Sequence, residues 1–315
     1  MKRVLVTGGA GFIGSNFVRL LVASGRDAII LDKLTYAGTL ENIADVLGST
    51  NTKFVRGDVC DGSVVQDLAK QVDCIVHFAA ETHVDRSITD AAEFVRTNVQ
   101  GTHILLDAAR SHDLRFLQIG TDEVYGSINE GLFTESSTLR PSSPYAASKA
   151  AADLLVRSYS TTYGLDEMIT RSSNNYGPFQ HPEKFIPRII TNAINDRPLP
   201  IYGDGLNSRD WLYVDDNCRG ILTVMEKGAR GQTYNIGSGR DRSNLEVVEA
   251  VLALLSKPLD LIRHVADRLG HDRRYALDWS RMESLGWKPM VDFSEGLRLT
   301  VDWYESHPEW WKRFS

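Results

Sequence analysis

The chain has 315 residues, enough for about two domains at roughly 150 residues each. Its 42% hydrophobic and 24% charged residues are an ordinary globular balance. A formal net charge of −6 and the lack of a long basic run argue against nucleic acid as a partner, while local Arg, Lys and helix N-termini leave room for an anionic ligand.

The sequence enters a strand pattern at once, with VLVT at 4–7 and no leader pattern before it. Further strand candidates are AIILD (28–32), FVRGD (54–58), CIVHFAA (74–80) and FLQIG (116–120). Between them lie FIGSNFVRLLVASG, a glycine-bounded segment from 38 to 50, SVVQDLAKQV and a long stretch from about 90 to 112. Continuous apolar runs alternating with helical periods predict parallel strands covered on both faces. The fold class is therefore α/β, a doubly wound parallel sheet of Rossmann-like type. YAASKAAADLLVRSYSTTYG predicts a helix from about 145 to 163, ending before Gly164, and EMITR (167–171) another strand.

After about residue 177 the pattern turns irregular, broken by Pro178, Pro182, Pro187, Pro198 and Pro200. The expected division is a nucleotide-binding domain over 1–177 and a smaller, mixed substrate lobe over 178–315, interleaved with the sheet. The ending HPEWWKRF is expected to pack against that lobe. No apolar run approaches the ~18 residues of a membrane span, so a cytoplasmic location is expected. Cys60, Cys74 and Cys218 have no CxxC spacing and are expected as free thiols, and the histidines show no HxxH or HExxH pattern, so no metal is expected.

TGGAGFIG (7–14) follows the first strand and opens the first helix. It fits GxxGxxG through Gly8, Gly11 and Gly14. Glycine permits the tight turn and clears space where a pyrophosphate meets backbone N–H groups at a helix N-terminus. Asp32 ends the second strand, where a carboxylate accepts ribose hydroxyls and repels a 2′-phosphate, favouring NAD over NADP. Asp58 follows the third strand; it suits an adenine amino group and equally a plain turn.

SPYAASK places Tyr145 and Lys149 four apart, on one helix face. A free tyrosine has a pKa of ~10. A nearby ammonium and a positively charged nicotinamide ring are expected to lower it, so that the phenolate takes a hydroxyl proton while hydride leaves the same carbon.

These features resemble the extended short-chain dehydrogenase/reductase superfamily. LDKLTYAG, HFAAETHVDRS, TDEVYGS, SPYAASKA, RSSNNYGP, HPEKFIP, LPIYGDG, SRDWLYVDD and DRLGHDRRY resemble, more narrowly, the dTDP-glucose 4,6-dehydratases, over almost the full length. The resemblance implies a hydro-lyase with tightly bound NAD. The glucose C4 hydroxyl is oxidised, C5 loses its proton, the C6 hydroxyl leaves as water, and hydride returns to C6. Catalysis falls to Thr121, Asp122, Glu123, Tyr145 and Lys149, with Asp122 as acid at O6 and Glu123 as base at C5. Free Asp and Glu have pKa values of ~3.9 and ~4.3, so one member of the pair must be raised by burial and its like-charged neighbour.

The implied cofactor residues are Gly8, Gly11, Phe12, Ile13, Gly14, Asp32, Lys33, Thr35, Asp58, Val59, Ala79, Ala80, Thr97, Tyr145, Lys149 and Asn175. The implied substrate residues are Thr82, Thr121, Asn174, Lys184, Phe185, Tyr202, Arg209, Asn244, Arg268 and His271. Thr82 stands where serine is usual, and Leu269 where proline is usual. The resemblance also implies a homodimer through a four-helix bundle of helices near 95–111 and 145–163. Leu105, Leu106, Leu154 and Leu155 fit either that interface or the helices' own core face. Two other readings stand beside the dehydratase: a nucleotide-sugar 4-epimerase or decarboxylase of the same superfamily, and a non-catalytic NAD-binding regulator. Thymidine against uridine, and the pathway served, stay open.

Overall fold

A computed structural model describes residues 1–267 and 272–314. Among these the strands are Arg3–Thr7 (β1), Asp27–Asp32 (β2), Thr52–Arg56 (β3), Cys74–His77 (β4), Arg115–Thr121 (β5), Glu167–Ser172 (β6), Asn174–Tyr176 (β7), Leu199–Tyr202 (β8), Ser208–Tyr213 (β9), Gln232–Ile236 (β10), Asp241–Ser243 (β11) and Ile262–Val265 (β12). Seven form one parallel sheet in the order β10-β6-β5-β4-β1-β2-β3.

Successive side chains of a strand point to opposite faces, and here both faces are covered. Val4 and Val6 pack with Ile30, Val76 and Leu117 under helices Phe12–Ala23 and Val214–Lys227. Leu5 packs on the other face with Ile29, Ile75 and Phe116, under helices Gly62–Ala69, Gly101–Ser111 and Pro144–Tyr163. That double burial is why these strands read as continuous apolar runs rather than as alternation.

The strand order reverses between β1 and β4, opening a crevice at their carboxyl ends, where ligands of such sheets bind. Two strands stop earlier than their apolar runs suggest. β4 ends at His77 because Ala79 N–H turns to the Thr7 hydroxyl, 3.3 Å. β3 ends at Arg56, and the Asp58 carboxylate then accepts from Cys60 N–H at 2.9 Å in a turn. The stretch from 90 to 112 is a short helix (Ala92–Phe94), a π turn (Val95–Gln100) and helix Gly101–Ser111. Asn98, in the π turn, clamps the Glu81 backbone through both amide atoms. The helix Pro144–Tyr163 starts on a Ser143 cap with Pro144 in its first turn and stops at Gly164, whose left-handed φ of 72° suits a glycine.

The smaller lobe holds the sheets β11-β9-β7 and β12-β8. Helices Phe185–Ile194, Asn244–Leu254 and Phe293–Ser306 enclose its core around Tyr176, Trp211 and Tyr304. β10 and helix Val214–Lys227 return to the large sheet, so the chain crosses between the two parts. The C-terminal aromatics also serve both. Trp311 is buried in the small lobe and donates to Tyr304 O, while Trp310 Nε1 reaches Asn42 Oδ1 at 2.8 Å and Arg313 pairs with Glu41. Leu105 and Leu106 are wholly buried in the chain's own core, whereas Leu154 is 61% exposed. Cys60, Cys74 and Cys218 are free. Among the described residues no helix is long and apolar enough to cross a membrane.

Candidate active site

Two cavities meet above the carboxyl edge of the sheet. One encloses about 290 Å³ and is lined by every expected cofactor residue from Gly8 to Asn175. The other encloses about 600 Å³ between the sheet and the small lobe. Thr82, Glu123, Asn174, His181 and Lys184 line both. Thr121 lines the first, and Phe185, Tyr202, Arg209 and Asn244 line the second. Arg268, His271 and the adjoining Leu269 lie outside the described residues.

The first cavity suits a dinucleotide. Helix Phe12–Ala23 begins at Gly11 with no side-chain cap and no acidic residue in its first turn, so its first N–H groups face the cavity unopposed. At Gly8, φ is 69° and a Cβ would stand 2.6 Å from Ala79 N, so only glycine lets the β1 and β4 ends approach this closely. Asp32 is buried, and its carboxylate accepts from Ala10 N–H (3.0 Å) and Leu34 N–H (2.8 Å). Burial raises its pKa, against those two N–H groups and Lys33. Burial also works on Asp58, but Cys60 N–H, Lys33 and Arg96 prevail and hold it below its usual range. Lys33 lies 3.9 Å from Asp58 and 3.7 Å from Glu81, and donates to Thr97. Asn175 is buried with its Oδ1 unpartnered among the described residues, an acceptor suited to a carboxamide N–H.

The catalytic candidates converge at the end of β5. Thr121 caps a single 3₁₀ turn, Asp122–Tyr125, by accepting from Glu123 N–H, which puts both acids at the carboxyl edge of the sheet. Asp122 is 1% exposed. Its Oδ1 accepts from the Thr121 hydroxyl at 3.3 Å and its Oδ2 has no donor among the described residues. Burial, then the charges of Glu123 and Asp210, raise its pKa well above the usual range, with Arg209 and Thr121 opposing. A carboxyl so placed has its protonated form favoured and can act as an acid.

Burial and the Glu123 carboxylate push the Tyr145 phenol up, against a hydrogen bond with Thr121. Lys149 donates to Ile119 O at 2.6 Å, and its own burial brings it down to about 8. A nicotinamide ring bound in the first cavity would bring a further positive charge that favours the phenolate. Lys184 lines both cavities together with Glu123. It is half-buried, donates to Thr82 O at 3.0 Å, and feels the Glu123 charge. Arg209 donates to Ser208 O and Asp272 O and stacks 4.4 Å over Tyr275.

A sequence model of the GDP-mannose 4,6 dehydratase family matches residues 5–300. The chain belongs to this family. It is 55% identical over 303 residues to the low-salt glycan biosynthesis protein Agl12 of Haloferax volcanii, covering 96% of this chain and 98% of that one. It is 51% identical over 318 residues to a dTDP-glucose 4,6-dehydratase of Streptomyces niveus, covering 98% and 95%. The solved structure of DesIV, a dTDP-glucose 4,6-dehydratase from Streptomyces venezuelae with NAD and dTDP bound, superposes with a TM-score of 0.98 at 50% identity, covering 99% of this chain and all of that one.

Sequence motifs missed several residues of this site. Asp210, next to the expected Arg209, is a buried carboxylate pushed up to about 6 by burial, and its charge bears on Asp122. Its place beside Arg209 in SRDW was an available signal. Asp153, four residues beyond Lys149, was visible as the next member of the same helix face. Arg171 and Lys33's partner Glu81 had no signal short of the fold.

Proposed function

We propose that this protein is an NAD-dependent dTDP-glucose 4,6-dehydratase, forming dTDP-4-keto-6-deoxyglucose and water. The observation that carries the reading is the Asp122–Glu123 pair on one turn: Asp122 is buried and lines the nucleotide cavity, and Glu123 lines both cavities, beside Tyr145 and Lys149. A 4-epimerase needs no acid–base pair beyond tyrosine, and a mere regulator needs neither.

When bound, NAD supplies the acceptor that takes hydride from C4 and gives it back at C6. Tyr145 takes the C4 hydroxyl proton and Thr121 hydrogen-bonds the C4 oxygen. The C4 ketone acidifies C5, and Glu123 removes that proton. Asp122 protonates O6, which leaves as water. Glu123 then returns a proton to C5. Lys184 and Arg209, which line the second cavity, hold the phosphates, with Asn174, Phe185, Tyr202 and Asn244 around the rest of the nucleotide.

The protein acts as a homodimer in this reading, through helices Gly101–Ser111 and Pro144–Tyr163, the second of which carries the exposed apolar Leu154 and Tyr163. A cytoplasmic location fits its three free thiols. The test offers dTDP-glucose and UDP-glucose to purified enzyme in heavy water. Loss of one water, deuterium at C5 and no net reduction of NAD are expected with the thymidine sugar. A product of unchanged mass, inverted at C4, would overturn the reading.

A further inference from the structure

Tyr145 and Lys149 share a face of helix Pro144–Tyr163, and the same spacing places Asp153 one turn further along it. Asp153 is wholly buried. Its Oδ2 accepts from Arg171 Nε on β6 at 2.9 Å. Arg171 also donates to the Tyr125 hydroxyl at 3.0 Å and lies 5.0 Å over the Tyr125 ring. The Tyr125 hydroxyl donates in turn to Asn235 Oδ1 at 2.8 Å, and Asn235 is pinned through its own amide to Phe133 O and Asp278 O. Tyr125 is the last residue of the turn that begins with Asp122 and Glu123. The second carboxylate oxygen, Asp153 Oδ1, has no donor among the described residues and lies beside Gly120, where a Cβ would come within 3.4 Å of it. Lys149 Nζ is bound to the carbonyl of Ile119, the preceding residue. Ammonium and carboxylate are thus lodged beside consecutive residues of the strand that carries the acid–base turn.

We propose that Asp153 is a positioning residue for the dehydration: it is the buried counter-ion of Lys149 and, through Arg171 and Tyr125, the anchor of the turn that aims Asp122 and Glu123. This rests on the dehydratase reading above. Arg171 and Tyr125 are the linking members of one device that couples the group serving C4 oxidation to the pair serving water loss.

The charges around the pair support the assignment. Burial pulls Lys149 down to about 8, and Asp153 is the charge that resists. From β4, His77 also faces Lys149. It is neutral, held down to about 3 by burial and bonded to the hydroxyls of Thr7 and Thr102, so it adds no competing charge. Around Asp153 stand Arg171 and Glu167 from β6, Tyr125 from the turn, and Lys149 and Arg157 from its own helix. Burial raises the Asp153 carboxyl, while Arg171, Lys149 and Arg157 favour its charged form. Removing that charge leaves Lys149 in a dry site without a counter-ion, and the ammonium gives up its proton at lower pH.

Asp153→Asn keeps an acceptor for Arg171 and removes the charge. The pH profile of kcat is measured for this variant and for wild type with dTDP-glucose. The alkaline limb is expected to move toward acid by about one unit or more, with KM little changed. Tyr125→Phe keeps the ring's stack on Phe133 (centroids 4.9 Å) and removes the hydroxyl. It is expected to accumulate reduced cofactor during turnover, because C4 oxidation continues while water loss slows. An alkaline limb that stays where wild type has it overturns the inference. Should Asp153→Asn fail to fold, Tyr125→Phe decides: accumulation supports the device, and unchanged turnover without accumulation overturns it. A wild type that releases no water from dTDP-glucose overturns the dehydratase reading and this inference with it. A dehydrating wild type whose variants behave like it overturns the inference alone.

Discussion

Gly8→Ala tests how the two sheet halves meet at the cofactor. The residue has φ 69°, and an added Cβ would lie 2.6 Å from Ala79 N, 2.7 Å from Ala79 Cα and 2.9 Å from Phe78 C. All three atoms are backbone, so no side chain can rotate away. The turn cannot drift freely either, since Gly8 N–H donates to Leu31 O at 2.8 Å and Gly8 O accepts from Gly11 N–H at 3.1 Å. A left-handed non-glycine residue costs ~1–2 kcal/mol, and overpacking a tight site a further ~1–3 kcal/mol, together about 2–5 kcal/mol. Gly25→Ala is the control. It has φ 75° and nothing within 4 Å of the added Cβ, so only the ~1–2 kcal/mol of backbone strain applies. Urea unfolding of both variants at fixed NAD, with NAD titrations of the folded proteins, separates the terms. Gly8→Ala should be less stable than Gly25→Ala by the ~1–3 kcal/mol steric term and bind NAD about tenfold more weakly for each ~1.4 kcal/mol that falls on the bound state. Equal destabilisation of the two variants, with unchanged NAD affinity, would refute the steric argument.

Glu123→Gln removes the proposed C5 base and leaves Tyr145 in place, so mixing with dTDP-glucose should give reduced cofactor that stays bound and almost no dehydrated product; normal turnover contradicts the assignment. Asp32→Ala strips the acceptor from Ala10 and Leu34 N–H. With ~1–3 kcal/mol at stake for each buried donor left unpaired, NAD affinity should fall tenfold or more while the preference over NADP narrows, and dissociation constants showing an undiminished preference count against it. His77 is held down to about 3 by burial, whereas the unfolded chain titrates near ~6.5. The unfolded state therefore binds the extra proton between those values, and this contribution to stability is complete above pH ~6.5 and lost as pH falls, at roughly 1.4 kcal/mol per unit. His77→Gln should flatten the pH dependence of unfolding free energy over that window; a slope equal to wild type's would show that other groups govern acid sensitivity.

Much of the frame was legible before any coordinates. The glycine turn, Asp32 at a strand end and the four-residue spacing of Tyr145 and Lys149 are local patterns, and local sterics and helix geometry suffice to interpret them. Strand ends were less legible, because β3 and β4 stop where a side chain or a turn captures the next N–H, as Thr7 does for Ala79. Leu105 and Leu154 look alike as helix leucines, and only the placement of neighbouring layers buries one and exposes the other.

What sequence determined by itself is the α/β winding, the nucleotide turn and the adjacency of Asp122 and Glu123 at a strand end, since each follows from side-chain period, backbone freedom or adjacency within a few residues. Tertiary structure alone decided which charges lean on one another. Asp210 bears on Asp122, Arg171 on Asp153 and Glu123 on Lys184 across long stretches of chain. The reason is physical: burial strips water from a charge, and the groups that then decide whether it keeps its proton are whichever the packed elements bring near, however far apart they stand along the backbone.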